Sequence, residues 1–237
     1  MKTRTKVLIG TATGVLVLGG TGALVGPGLY ADWVNAGADE EPSLAAPSSP
    51  TTSGNETSDT GNTAEAESES TLSGRWTVAD GSYAGYRVDE VLSGEDITVT
   101  GRTESVTGEI TIDGDDLTEA GLEVDMASIA TDESQRDAYF RGTALETDTY
   151  PTATFELTSP VTLTDTTEVD LEGEMTIHGV TQEVTVDAEI ATSEDELQVV
   201  GIVPISFSDY DVVAPDLGFV TVEDEGQVEF SLVLEPS

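Results

Sequence analysis

The sequence predicts an all-β domain: an antiparallel sheet of about eight strands with one short helical insertion, behind an apolar N-terminal segment. Three observations predict it. Beyond residue 74, apolar and polar residues alternate with a period of two in run after run. Turn residues separate those runs. Residues 7–31 form an uncharged stretch that follows no strand pattern.

Residues 1–6 carry Lys2, Arg4 and Lys6 and read as a basic cytoplasmic N-terminus. Residues 7–31 are 25 uncharged residues rich in Val, Leu, Gly and Ala. About 20 apolar residues span a bilayer as a helix. Basic residues before the run and Asp32 after it orient it as a single-pass anchor in the cell membrane, N-terminus inside and the rest outside. Tyr30 and Trp33 fall where an interfacial aromatic belt would lie. The rival reading is a secreted protein cut near Ala38, since Ala36-Gly37-Ala38 fits a signal cleavage site. A retained anchor is preferred, because signal h-regions run to only about 7–15 residues. Residues 32–73, acidic and rich in Ser, Thr and Pro, read as a disordered linker that buries too little apolar surface to offset its ordering entropy.

Residues 74–237 read as the folded domain. Alternating runs lie at 109–112, 122–126, 153–157, 171–177, 183–190 and 228–232, each with apolar groups on one face. Turn chemistry separates them at Asp113-Gly114-Asp115, His178-Gly179-Val180 and Ser193-Glu194-Asp195. Residues 126–151 break the alternation and read as a strand end, a short helix and a return to strand. Residues 199–203 are apolar on both faces. One-sided strands of this kind close into a barrel or stack as a two-sheet sandwich, and alternation alone does not separate the two.

Charge excludes one class of partner. The chain holds 47 acidic residues against eight basic ones, a net charge of −39, with no lysine after Lys6. Nucleic acid binding depends on Lys and Arg neutralising phosphates, so none is expected. Acids spread along the chain from Asp32 onward, with lysine nearly absent, read as a halophilic surface rather than a dedicated cation or partner site. The absence of cysteine excludes disulfides and thiolate chemistry.

No residue pattern points to catalysis, a metal or a cofactor, and the chain is not read as an enzyme. His178 is the one imidazole, placed at a hairpin turn, whereas zinc usually takes three or four N or S ligands. Asp113-Gly114-Asp115-Asp116 lacks the spacing of a calcium loop and reads as a solvated turn. Dispersed carboxylates could in principle serve a hydrolase, but none stands out among 47 acids. Arg136 and Asp137 are more specific, since only five arginines follow the anchor. They read as a structural ion pair holding the short helix, or as part of a lid over an apolar cavity.

Four motifs in order carry a resemblance. Gly74-Arg75-Trp76-Thr77-Val78-Ala79-Asp80 looks like an opening W-x-V/I-D strand. Ala127-Ser128-Ile129-Ala130-Thr131 with Arg136-Asp137 resembles S-I-x-T…R-D. Tyr150-Pro151-Thr152-Ala153-Thr154-Phe155 is similar to Y-P-x-A-x-F, and residues 173–181 resemble G-x-L-T-I-x-G-V-T. Over roughly residues 74–235 the chain thus resembles the YceI-like polyisoprenoid-binding proteins. Two positions depart from the pattern. Tyr139 stands where the family's R-D-x-H-L has histidine, and Phe207 stands where R-S-D-F-G has arginine.

The resemblance implies an eight-stranded, lipocalin-like antiparallel barrel with an elongated apolar pore. It implies an isoprenoid lipid, such as a quinone or a polyprenyl phosphate, as partner. On that basis the cavity candidates are Leu122, Val124, Met126, Tyr139, Phe140, Phe155, Met175, Ile177 and Phe230. The alternative is a ligand-free structural or interaction barrel displayed on a membrane-anchored stalk, because inward apolar residues of a filled core look the same. Oligomeric state is not legible in the sequence.

Overall fold

Hairpin turns with left-handed backbone set the strand order. In the computed structural model, which describes residues 27–44, 72–163, 168–192 and 196–237, His178 (φ 52°) and Gly179 (φ 75°) form the two-residue turn of one hairpin. Ser93 and Gly94 turn another, also at positive φ.

The strands are β1 (Gly74–Val78), β2 (Tyr83–Leu92), β3 (Glu95–Thr103), β4 (Val106–Asp113), β5 (Asp116–Asp125) and β6 (Thr152–Leu157). They continue as β7 (Val161–Thr162), β8 (Glu168–Ile177), β9 (Val180–Thr192), β10 (Leu197–Ser206) and β11 (Val220–Pro236). All pairings are antiparallel.

The sheet closes on itself. β1 and β2 occupy successive stretches of one edge of β11, at residues 234–236 and 220–231. The break between them is bridged by the Ser82 hydroxyl, which donates to Ala79 O and Val233 O and accepts from Val233 N. β3 and β4 likewise form one bent strand, β3 on β2 and β4 on β1. With each bent pair counted once and the short β7 set aside, eight strands make the ring. Barrel therefore replaces sandwich, and closure removes most of the edges that would invite aggregation, leaving one side of β3 without a strand partner.

The barrel's two ends differ. At one end Trp76, Ile112, Leu117, Leu197 and Leu234 are buried and interlocked as a solid plug. The other end carries the 126–151 insertion: a short turn at Met126–Ser128, helix α2 (Ser134–Tyr139) and a wider π-helical turn at Phe140–Ala144. A bridge from Arg102 to Ala130 joins it to β3, and Met126 N donates to Pro151 O at 2.9 Å to close its base.

The N-terminal piece revises one boundary. Helix α1 (Pro27–Gly37) takes in both the last residues of the expected anchor and the first of the expected linker. Ala31 and Val34, three residues apart on one face, bury themselves against Ile97 of β3, with Tyr30 and Leu92 alongside. Asn35 then acts as a strand neighbour: its Nδ2 donates to Asp96 O and its Oδ1 accepts from Thr98 N. Residues 38–44 follow without regular structure, held through Arg87 to Asp39 O and Arg102 to Glu40 O. Residues 32–44 are thus docked on the barrel rather than free, because that edge of β3 has amides to satisfy. Tyr30 packs toward the barrel, while Trp33 stays exposed. Residues 7–26 of the expected anchor and 45–71 of the expected linker, like the turn at Ser193-Glu194-Asp195, lie outside the described residues. Among the described helices none is long and apolar enough to cross a membrane.

Candidate functional site

Residues of β2, β3, β4, β5, β6, β8, β9, β10 and β11, with the 126–151 insertion and the 207–219 segment, line a cavity of about 240 Å³ between the plug and the insertion end. Leu122, Val124, Met126, Tyr139, Phe140, Phe155, Met175, Ile177 and Phe230 all line it. Glycines make room for its aromatic walls. At Gly173 an added Cβ would stand 2.3 Å from the Phe155 ring, so that ring can lie across the strand only because no side chain is there.

Sequence reading missed a second set of lining residues. Tyr86 stacks on Phe140 at 5.2 Å between centroids and 7° between planes. Val203, Ile205, Phe207, Tyr210, Val212 and Val213 line the cavity from β10 and the chain after it. Apolarity at 199–203 was visible, but which of the following loop residues would fold inward was not. Val213, Leu217 and Phe219 are exposed apolar residues of this same loop, the first two on the cavity's lining.

Arg136 lines the cavity, and its partners differ from the expected ones. It reaches Asp132 at 2.8 Å and the buried Glu90 of β2 at 3.5 Å. Asp137 instead accepts from the Thr131 backbone N–H at 2.9 Å and from its hydroxyl at 2.8 Å, fastening the start of the insertion. The two do not pair with each other, because consecutive residues of a helix point in different directions. Burial raises the Glu90 carboxyl above its ordinary value, and the Arg136 guanidinium opposes this in part. Tyr30 packs with Leu92, two residues beyond Glu90 on β2, so the start of α1 lies beside this same end of the barrel, and partial burial pushes up the Tyr30 hydroxyl, with Arg136 opposing.

His178 sits in the β8–β9 turn, its ring against Tyr150 and its Nδ1 at 3.2 Å from Tyr210 O. Among the described residues no group of three or more His, Asp or Glu side chains is arranged to hold a metal ion.

A second, polar pocket of about 690 Å³ opens through the barrel wall. β9 and β10 pair only from Thr192–Leu197 to Asp187–Ile202, then part. Pro204, which has no N–H to offer, stands on the parted stretch. A turn at Phe207–Tyr210 spans the gap, tied by Gln182 Nε2 donating to Asp209 O at 2.7 Å. Val88, Val203, Ile205 and Tyr210 line both spaces.

A closed eight-stranded antiparallel barrel with an apolar interior, plugged at one end and covered by a short helix at the other, is a hollow-barrel fold of the class suited to slender apolar ligands. The YceI-like domain model matches residues 76–234, and the chain belongs to that family. Among solved structures, Burkholderia cenocepacia BcnA superposes with a TM-score of 0.53 at 23% identity, covering 62% of this chain and 95% of that one. A polyisoprenoid binding domain from Saccharophagus degradans, implicated in plant cell wall breakdown, gives 0.53 at 21%, covering 68% and 98%. The Campylobacter jejuni YCEI protein gives 0.50 at 18%, covering 58% and 84%. At these identities the likeness is one of fold. No curated protein matches the chain in sequence.

Proposed function

We propose that the protein is a membrane-anchored, extracytoplasmic binding and carrier protein for a long-chain isoprenoid lipid, such as a quinone or polyprenyl phosphate, without enzymatic activity of its own. The observation that carries this reading is the cavity: hydrocarbon-lined almost throughout, with Arg136 and Glu90 its only charged lining residues. Apolar burial there contributes about 25 cal/mol per Å², and an isoprenoid tail asks for little else. Family membership and the polyisoprenoid-binding Saccharophagus domain support the same ligand class.

The cavity is slightly smaller than the ~300–1,000 Å³ usual for ligand pockets, and the Trp76 plug stops it short of the far end. A long tail therefore continues past the mouth. The apolar run at residues 7–31 serves as the anchor in this reading, its last residues, within α1, packing on the barrel beside the cavity's mouth. The exposed Val213, Leu217 and Phe219 flank that end too. The acidic surface serves a high-salt exterior.

The test is organic extraction of the purified full chain followed by mass spectrometry. A stoichiometric isoprenoid supports the carrier. Repeated absence of lipid, together with no uptake of added prenyl lipid, leaves the ligand-free display barrel.

A further inference from the structure

We propose that the barrel rests mouth-down on the outer surface of the membrane that holds its anchor, through one apolar surface formed by α1 and the loop before β11. The proposal rests on the anchor reading and adds to it the partner of the folded domain and the face that meets it.

The first observation is where the exposed apolar side chains fall. Among the described residues, the large hydrophobic side chains left exposed are Leu29, Trp33, Val213, Leu217 and Phe219. Leu29 and Trp33 lie four residues apart on α1, away from the face that Ala31 and Val34 bury. The other three belong to the loop between β10 and β11. The β2–β3 turn joins the two groups. Leu92 packs with the Ala31, Val34 and Ile97 cluster and pairs with Val220 of β11. In the turn itself Ser93 N donates to Phe219 O at 2.8 Å, and a Cβ on Gly28 would stand 3.7 Å from Glu95 Oε1. Val213 and Leu217 also line the cavity. Single apolar residues scattered over a surface are ordinary, but a group gathered beside an opening marks a contact site.

The second observation names the occupant. Residues 7–26 are 20 uncharged residues that lead directly into α1 at Pro27, and about 20 apolar residues cross a bilayer. From there the chain stays on the barrel. Asn35 bonds to β3, Arg102 holds Glu40 O, and Leu72 packs on the core. Residues 45–71 therefore connect two points on the barrel and put no spacer between anchor and barrel. The contact of Ala31 with the barrel follows the apolar run within about one helical turn. That brings Leu29 and Trp33 to the level where indole rings favour the bilayer interface. Asp32, Glu95 and Asp216 are exposed beside the patch, and the chain has no lysine after Lys6. The contact is thus made by hydrocarbon and suits neutral headgroups rather than an anionic surface. The mouth then opens onto the bilayer, so a prenyl tail passes between the two without crossing water.

The chain's two tryptophans make the test direct: Trp33 lies in the patch, whereas Trp76 is buried in the plug. The full chain carrying Trp33→Phe and Phe219→Trp is reconstituted into phosphatidylcholine vesicles with bromine on the acyl chains just below the headgroups. Interfacial apolar surfaces sit about 5–10 Å into that boundary. Trp33→Phe alone gives the baseline for Trp76. The bromolipid should quench the added indole severalfold more than Trp76, and Leu29→Asp should reverse most of that quenching without lowering the melting temperature. In phosphatidylglycerol vesicles the quenching should weaken at low salt and recover in molar salt, as charge is screened. A chain that floats with the vesicles but keeps an unquenched indole at position 219 overturns the docking surface and leaves the anchor reading standing. So does quenching that survives Leu29→Asp, or cross-linking between copies from position 219, which makes a second copy the occupant. A chain that does not float with the vesicles overturns the anchor reading as well.

Discussion

Gly201 of β10 lies directly opposite Phe230 of β11, and a Cβ on Gly201 would stand 2.4 Å from the Phe230 ring and 2.9 Å from Val186. Neither neighbour is a loose chain end, so the ring must move if a methyl is added. Gly201→Ala is expected to cost about 1–3 kcal/mol and to push Phe230 into the cavity it lines. Thermal melting and lipid content should fall together. Unchanged melting would show that the sheet accommodates the methyl and that the close approach is not required.

Hollow and filled positions should respond oppositely to the same enlargement. Leu122 lines the cavity, whereas Leu197 is fully buried in the plug. Leu122→Trp should abolish lipid uptake while changing stability by less than about 1 kcal/mol, since it grows into free space. Leu197→Trp has no such space and should lose about 3 kcal/mol or more. Equal destabilisation by the two, read from denaturant melts, would mean that the cavity is filled core.

Glu90 makes a signed prediction for pH. Its folded pKa is raised, chiefly by burial, so the native state holds the proton more tightly than the unfolded chain. Its contribution to stability is therefore most favourable below the unfolded value of about 4.3 and declines as pH rises through the folded value. Glu90→Gln removes that decline. The variant should melt higher than the parent at pH 7 and match it near pH 4. A variant less stable at pH 7 would show that the Arg136 contact outweighs the desolvation of the carboxylate.

The N-terminal clasp can be released in two ways. Asn35→Ala deletes the two hydrogen bonds to β3, each worth about 0.5–1.5 kcal/mol. Amide exchange at residues 97–100 should quicken while the barrel stays folded. Glu229 is fully buried between Arg87 at 3.2 Å and Arg102 at 2.7 Å. Glu229→Gln breaks that pairing and should cost about 3–5 kcal/mol, as measured by denaturant unfolding. A loss no greater than that of Asn35→Ala would show the cluster to be incidental.

A net charge of −39 predicts stability that grows with salt. Raising salt from about 0.1 M to 1 M shortens the Debye length from about 10 Å to 3 Å, which relieves self-repulsion among carboxylates. The melting temperature should climb over that range. A flat or falling profile in potassium chloride would remove the high-salt reading of the surface.

Strand character was legible because side-chain alternation is a local property. The runs at 171–177 and 183–190 could be placed from their own residues, and so could the His178-Gly179 turn, which needs left-handed backbone. The cavity candidates from Leu122 to Phe230 share a signature, apolar and inward, that singles out one face of each strand. Arg136 was visible as a rare cation, but its partner Glu90 lies 46 residues away and carried no mark among so many acids. The docking of residues 32–44 was hidden for a related reason. A segment that looks too polar to fold by itself becomes ordered when another strand's unpaired amides wait for Asn35.

By itself the sequence determined which face of each alternating strand turns inward and where its hairpins reverse, since each follows from neighbours a few positions apart. Only the tertiary structure decided the rest. It closed the sheet through β1 on β11, placed a solid plug at one end and a hollow at the other, and parted β9 from β10. Those outcomes depend on how side chains from distant strands share one volume. Pairing across long loops sets that sharing, and periodicity along a single strand carries no record of it.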